Sequence, residues 1–391
     1  MDFFKVEVYK ILKNKKYLIF IIGLLVLFIF KTYGLYGDAK SERPQIKIKN
    51  NEKLLVEYKA KLKEDGIKEE EIKTYKLKIK SLERENKELS EEIKKPNYNW
   101  KEKLKNKNKA LKKEREEYKI AMDYNEVERI NGEILLNEHL LKENMEPQPL
   151  YKIYSFRAMK DLMGFINVIF LPLLIIILTY DSVSSEMQYS TIKLAITKPI
   201  GRVRFIITKF LSGFLVSTLT VFIIEFFMFV IIGLVFNGGN PSYPVVIGTK
   251  YHVDELERVT AIVGSSYINP VYKYLIQLLI LQLMCIFIYC SFGILISTLF
   301  KNNVASLMVS SIIIFCLNMA TFILPQESLS KIYPYLFTTY GDGNSLIEGV
   351  INLNLSATNI NIKLGVGICI LYGVAFIAIA TNYFNKKDIV V

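Results

Sequence analysis

The chain has 391 residues, 51% of them hydrophobic, with 50 Lys and Arg against 38 Asp and Glu and a formal net charge of +12. In a soluble protein that excess would point to nucleic acid, but the lysines lie mostly outside long apolar runs and alternate with acids, which argues against a nucleic-acid partner. The two histidines, His139 and His252, are in polar stretches, and Cys285, Cys290, Cys316 and Cys369 all fall inside apolar runs. This leaves no material for a disulfide framework, a metal site or a His-based catalytic centre.

Six apolar runs, each about long enough to cross a bilayer, predict an all-α polytopic membrane protein. They cover Tyr17 to Gly37, Leu162 to Tyr180, Phe210 to Phe236, Tyr274 to Phe300, Asn302 to Gln326 and Leu364 to Asn385.

Residues 1–16 come first. Phe4, Val8, Ile11 and Leu12 recur at helical spacing opposite Lys5, Glu7, Lys10 and Lys13, the pattern of a helix lying in the headgroup plane. In the first run (17–37) only 14 uncharged residues separate Lys16 from Lys31, the size of a signal-peptide core. The apolar character resumes after Lys31, so a retained span with one buried or snorkelling lysine fits better.

From Gly37 to Asp161 the chain holds 31 Lys and Arg against 26 Asp and Glu, intermixed as on a solvated face. Ile72, Tyr75, Ile79, Leu82, Leu89 and Ile93 form a heptad seam interrupted at Asn86. Pro96-Asn97 ends that helix, and Trp100, Leu104, Leu111, Tyr118 and Met122 begin a second one. Residues 38–161 are therefore expected to form a stalk built on an antiparallel, coiled-coil-like hairpin, serving either as a platform for an envelope partner or as a spacer.

Residues 162–391 hold the other five spans. Lys and Arg cluster before the first span, between the second and third (Lys193, Lys198, Arg202, Arg204, Lys209), at Lys301 between the fourth and fifth, and at Lys386 and Lys387 after the sixth. The positive-inside rule makes this end cytoplasmic, puts both termini inside and leaves the stalk outside the cell membrane.

The connection 181–209 is the most specific stretch. Asp181-Ser-Val-Ser-Ser-Glu186 reads as a short helix capped by Ser184 or Ser185, with Val183, Met187 and Leu194 on one face and Pro199 as terminator. Asp181, Glu186, Thr191, Pro199, Arg202 and Lys209 in this position resemble the membrane subunits of ATP-binding-cassette transporters of the type-2 permease family. The resemblance extends to the interfacial helix, the six spans and the large outer insert, although the insert itself carries no family assignment. It implies a permease subunit, not itself an enzyme, paired with a second permease subunit as a homo- or heterodimer. It also implies a separate cytoplasmic ATPase carrying ATP and Mg, with Asp181, Glu186, Thr191, Pro199 and Arg202 as its coupling surface, and export as the direction. The chain has no Gly-x-x-x-x-Gly-Lys-Ser/Thr loop, so an ATPase has to be another polypeptide.

Polar groups within the spans, Gln277, Gln282, Asn318 and Glu225, favour transport over the alternative of a non-transporting mechanical or signalling protein. Lys31 and Glu225 reach a similar depth, about 22 and 24 Å along their helices from Lys16 and Lys209, so the two intramembrane charges are candidates for an ion pair; the alternative is a Lys31 that snorkels to the outer headgroups and a Glu225 that is protonated or lines a wet cavity.

Overall fold

The structure is a computed structural model that describes residues 3–62, 69–94, 99–190, 201–255, 257–323 and 329–387. Helix α1 (Phe3–Lys13) ends at Asn14, whose side chain accepts a hydrogen bond from Lys16 N at 3.2 Å and so caps α2 (Lys15–Ser41). Along α2 the buried Phe20, Leu24 and Phe28 recur every four residues, while Leu18, Ile22, Leu25 and Ile29 face outward. An apolar helix with one face packed and the other open fits a lipid-exposed span.

The insert holds four helices, α3 (Pro44–Lys61), α4 (Glu69–Lys94), α5 (Trp100–Ile120) and α6 (Tyr124–Lys142). The close packing is of α3 on α4 and of α5 on α6, while the expected antiparallel pair, the seam helix with the one after it, meets through charged side chains. Asn86 shows why. It accepts from Asn51 Nδ2 of α3 at 2.9 Å, so the interrupted seam position meets a matching amide on the preceding helix. Helix α5 touches α4 through ion pairs, Arg84 to Glu114 at 2.7 Å and Lys80 to Glu117 at 2.5 Å. Its apolar side goes instead to α6, where Leu111, Ile130 and Ile134 form a small core and Asn137 Nδ2 donates to Asn108 Oδ1 at 2.8 Å.

The membrane-length helices follow. Helix α7 (Ser155–Val168) stops at Ile169 and α8 (Phe170–Thr179) resumes at once. Pro172 causes the break, because it has no N–H for the carbonyl of Val168 and its ring crowds the preceding turn. A short helix α9 (Ser184–Gln188) precedes the longest one, α10 (Arg202–Val235). Then come α11 (Val271–Leu299), α12 (Asn303–Ile323), two 3-10 turns (Tyr333–Tyr335 and Phe337–Gly341), α13 (Gly343–Glu348), α14 (Ile351–Asn354) and α15 (Ile362–Lys386). Among the described residues six helical stretches, one of them Phe170–Gln188 through α8 and α9, are long and apolar enough to span a membrane.

Four short strands, β1 (Pro244–Ile247), β2 (Tyr251–Val253), β3 (Val259–Ala261) and β4 (Tyr267–Pro270), join α10 to α11 and add to the helical plan. They pair antiparallel as β1 with β4 and β2 with β3. This connection is clasped to the insert. Glu128 of α6, 2% exposed, accepts from Gly264 N (2.5 Å), Ser266 N (2.9 Å) and Ser266 Oγ (2.6 Å), and Asn125 Oδ1 accepts from Ala261 N (2.8 Å).

Helix α11 is the hub of the bundle, 72% buried over its apolar window against 17% for α2, and it packs against α7, α8, α10, α12 and α15. Small residues bring these helices close, since without water between them helices associate through tight packing rather than the hydrophobic effect. At Gly293 a Cβ would collide with Oγ1 of Thr179 on α8, and at Gly373 of α15 with the ring of Phe287 on α11. Gly293→Val should therefore lower the melting temperature of the detergent-solubilised protein by several degrees, whereas Gly367→Ala, whose Cβ would meet open space, should leave it unchanged.

Candidate functional site

Lys193 and Lys198 lie outside the described residues; the other basic residues expected at one face of the membrane gather at one end of the bundle, and the segment 180–190 lies at their centre. Its backbone is held by the bundle. Ser297 Oγ of α11 accepts from Val183 N (2.9 Å) and Ser184 N (3.0 Å). Ser184 Oγ donates to Asn303 Oδ1 of α12 at 2.7 Å, and Ser306 Oγ of α12 donates to the Tyr180 carbonyl at 2.7 Å. The α9 N-cap is Val183, without a capping side chain. Ser184 and Ser185, expected as caps, instead reach other groups, Ser185 Oγ donating back to the Asp181 carbonyl at 2.6 Å.

Acidic side chains from this segment enter a cluster of three ammonium and three carboxylate groups. Lys209 of α10, 3% exposed, donates to Glu186 Oε1 at 2.7 Å and to Glu7 Oε2 of α1 at 2.9 Å. Lys10 bridges the same two acids at 2.8 and 3.2 Å, and Lys16 at the start of α2 pairs with Asp181. The charges balance, as burial requires. Beside them Phe3 of α1, Phe205 of α10 and Phe384 of α15 form a stack, with Lys209 Nζ 4.8 Å from the Phe205 ring centre. Arg202 Nη1 donates to the carbonyls of Asn385 (2.8 Å) and Lys387 (3.0 Å), joining the α10 start to the α15 end. Every membrane-length helix thus meets the others at this one end.

Asp181, Glu186 and Arg202 are therefore brought together as internal ties rather than displayed as an open docking face, and Glu186 is 13% exposed at its side chain. Thr191, Leu194 and Pro199 lie outside the described residues. Glu7 and Lys10, read in the sequence as the wet side of an amphipathic helix, are part of the cluster. A helical wheel shows polarity but not which polar face meets a buried counter-charge. Val183 and Met187 do pack inward.

The second polar site is within the bundle. Gln282 Nε2 of α11 donates to Glu225 Oε1 of α10 at 2.6 Å and to Asn167 Oδ1 of α7 at 2.8 Å, with all three residues buried. Glu225 Oε2 and Gln282 Oε1 have no hydrogen-bond partner among the described residues. Lys31 is not its counter-ion: the Lys31 ammonium lies 5.5 Å from the Phe165 ring centre and contributes to the field at Asp161. Equal height along two helices does not fix which way their side chains turn. Asn167 was legible only as one polar residue in an apolar run. Of the other polar span residues, Asn318 Nδ2 donates to the Ile314 carbonyl of its own helix.

Comparison with known proteins agrees with this architecture. The family model described as ABC-2 family transporter protein matches residues 1–389. The chain belongs to the ABC-2 transporter family. It is also similar to a protein of Bacillus subtilis (strain 168) described as uncharacterized protein YhcI, 24% identical over 301 residues, covering 75% of this chain and 85% of that one. ABC-2 permeases are the non-catalytic membrane subunits of ABC transporters and work with a separate ATP-binding subunit.

Two outcomes follow for this ABC-2 permease. Burial alone would raise the Glu7 carboxyl, but the ammonium groups of Lys209 and Lys10 outweigh it and hold its pKa below the ordinary 4.5. A depressed carboxylate stabilises above its unfolded pKa and loses that contribution as pH falls through the folded value. Burial opposes the charge on Lys10, yet Glu7 and Glu186 raise its pKa above 10.5, so its share is complete below that pH and lost only as pH rises further. Hydrogen exchange over Phe3–Lys13 should accordingly stay slow at neutral pH and accelerate below about pH 4.5, with Glu7→Gln fast throughout. In a double-mutant cycle, Lys31→Met and Glu225→Gln should add to within about 0.5 kcal/mol in thermal stability, as for sites that share no partner.

Proposed function

We propose that this chain is the permease subunit of an ABC exporter of the cell membrane, with the end that holds the charge cluster facing the cytoplasm and both termini inside. In this reading a separate ATPase, carrying ATP and Mg, docks over residues 181–209, and a second permease subunit completes the transporter. The stalk of α3 to α6 is outside.

The observation that carries the reading is the convergence of all the membrane-length helices on segment 180–190. A push on segment 180–190 cannot be absorbed locally, because its backbone is bonded to α11 and α12 and its acids Asp181 and Glu186 to α1, α2 and α10. Such a well-tied element is what conversion of ATPase motion into helix motion requires. The Glu225, Gln282 and Asn167 site supports transport over a purely mechanical role, since polar groups buried in the spans are costly without a function.

Docking requires an exposed group, and Tyr189 at the end of α9 provides one, 68% exposed with neighbours that are already satisfied. Exposed tyrosines are frequent anchors at interfaces. Tyr189→Ala should weaken association with the ATPase by about 2 kcal/mol, roughly 30-fold in Kd, while leaving the melting temperature of the free permease unchanged. Normal assembly and normal ATP-driven transport in that variant would remove segment 181–209 as the docking surface.

A further inference from the structure

A groove of about 420 Å³ runs between α1, α2 and α10, away from the charge cluster's buried core and open to the outside of the bundle. Its walls are Val8 and Leu12 of α1, Tyr17 and Ile21 of α2, and Leu215, Leu219 and Ile223 of α10. The α10 residues recur every four positions, so the trough follows that helix for about 12 Å into the membrane. One polar pair is set in its floor, and it is closed. Thr220 Oγ1 donates to the Val216 carbonyl at 2.7 Å, which leaves it to accept from Tyr17 OH at 3.1 Å. The trough therefore offers an occupant apolar contact and no free hydroxyl donor from this pair.

Its rim is different. Lys5, read in the sequence with the charged side, stands on the same face of α1 as Val8 and Leu12, three and seven positions earlier. Lys13 and Lys15 are at the corner where α1 ends and α2 begins, beside the groove's Leu12 and Tyr17 in the chain, with Lys13 Nζ 4.9 Å from the Tyr9 ring centre. All three lysines are exposed, and among the described residues none of them pairs with a carboxylate. Lys10 and Lys16, by contrast, are neutralised by acids within the cluster. The rim is thus a patch of uncompensated positive charge above an apolar slot, at the level where the first span begins.

We infer that this groove is a binding site for one anionic phospholipid, its acyl chain lying along Leu215, Leu219 and Ile223 and its headgroup phosphate held by Lys5, Lys13 and Lys15. The volume is within the roughly 300 to 1,000 Å³ typical of ligand sites, and the division into dry slot and charged rim matches the two halves of such a lipid. The site does not depend on the direction of transport or on the ATPase. Its position against α1 gives it a consequence: a lipid seated there fills the space beside the helix that supplies Glu7 to Lys209.

Native mass spectrometry of the full-length protein in detergent, titrated with phosphatidylglycerol or phosphatidylcholine of the same chains, tests this. Each lysine near a headgroup contributes about 1 kcal/mol, roughly fivefold, less with salt screening, so the wild-type protein should retain phosphatidylglycerol on the order of tenfold more than phosphatidylcholine. The triple variant Lys5→Gln, Lys13→Gln, Lys15→Gln should lose that preference and keep weak binding of both. Leu219→Trp, at a position already half exposed, should fill the slot and reduce retention of both lipids, with an unaltered elution volume on size exclusion. Equal retention of the two lipids by the wild-type protein would overturn the proposal. So would unchanged retention in Leu219→Trp, and if that variant instead lost dimers, the groove would belong to a second copy of the chain. Inhibition of lipid retention by free inorganic phosphate, without effect of chain length, would likewise overturn it by assigning the lysines to a soluble anion.

Discussion

The structure depends on one buried ammonium group. Lys209 is 3% exposed and 2.7 and 2.9 Å from two carboxylates, one on the segment between spans and one on the N-terminal helix. Bringing such charges out of water is expensive, and removing a single partner from a buried pair typically costs about 3–5 kcal/mol because it strands the others. Replacing a whole network by apolar residues is often neutral, so the benefit of the charges is not stability as such. What they add here is register. An apolar contact between α1 and α10 would tolerate sliding, whereas two acids on different elements, each within hydrogen-bond distance of one Lys209, fix α1, α9 and α10 relative to each other.

The opposite end of the bundle uses the same device with different groups. Lys160 of α7 pairs with Glu348 of α13 at 2.6 Å, and Tyr274 of α11 donates to Glu348 and to Asn344 at 3.1 and 2.9 Å. Close by in the chain, Gly349 takes a positive φ of 89° with the Thr249 carbonyl against the space a side chain would need, so the strand connection and α13 approach backbone to backbone. Glu128 extends the ties to the insert. The insert is consequently fastened to the spans through the connection between α10 and α11 as well as through the chain at its two ends, and a load on its helices reaches α11 directly.

Legibility followed the strength of the physical signal. The spans could be read from the sequence because some 20 apolar residues in a row have few other homes, and the one-sided clustering of lysines placed their ends correctly relative to one another. The insert was legible as helical but not in its pairing. Helix α3 mixes Ile46, Leu54 and Leu55 with charges at no regular spacing, so nothing in the sequence marked it as the partner of the α4 seam; the Asn51 to Asn86 contact did. The four strands were missed because three or four residues give no period to detect. In the charge cluster, Asp181, Glu186 and Lys209 stood out for their place between two spans. Glu7 and Lys10 did not, because their roles depend on how α1 lies against α10, which is a tertiary fact. Lys31 and Glu225 show the reverse error: two charges at one depth invite pairing, but the carboxylate had an amide partner on a helix packed more closely.

The break at Ile169 joins these observations into a mechanical argument. Helix α7 is anchored to the far end by Lys160 and Glu348, while α8 runs without a loop into the segment that the charge cluster and Ser297 hold at the near end. A continuous helix would transmit any displacement of that segment rigidly to the far side. With Pro172 removing the hydrogen bond across the junction, α8 can tilt while α7 keeps its anchor. Asn167 lies two residues before the break, and its bond to Gln282, which also holds Glu225, ties the junction to α10 and α11. A tilt of α8 would load this buried polar site. Through these bonds the charge cluster at one end of the bundle is linked to a buried polar site in which, among the described residues, one oxygen of Glu225 and one of Gln282 have no partner.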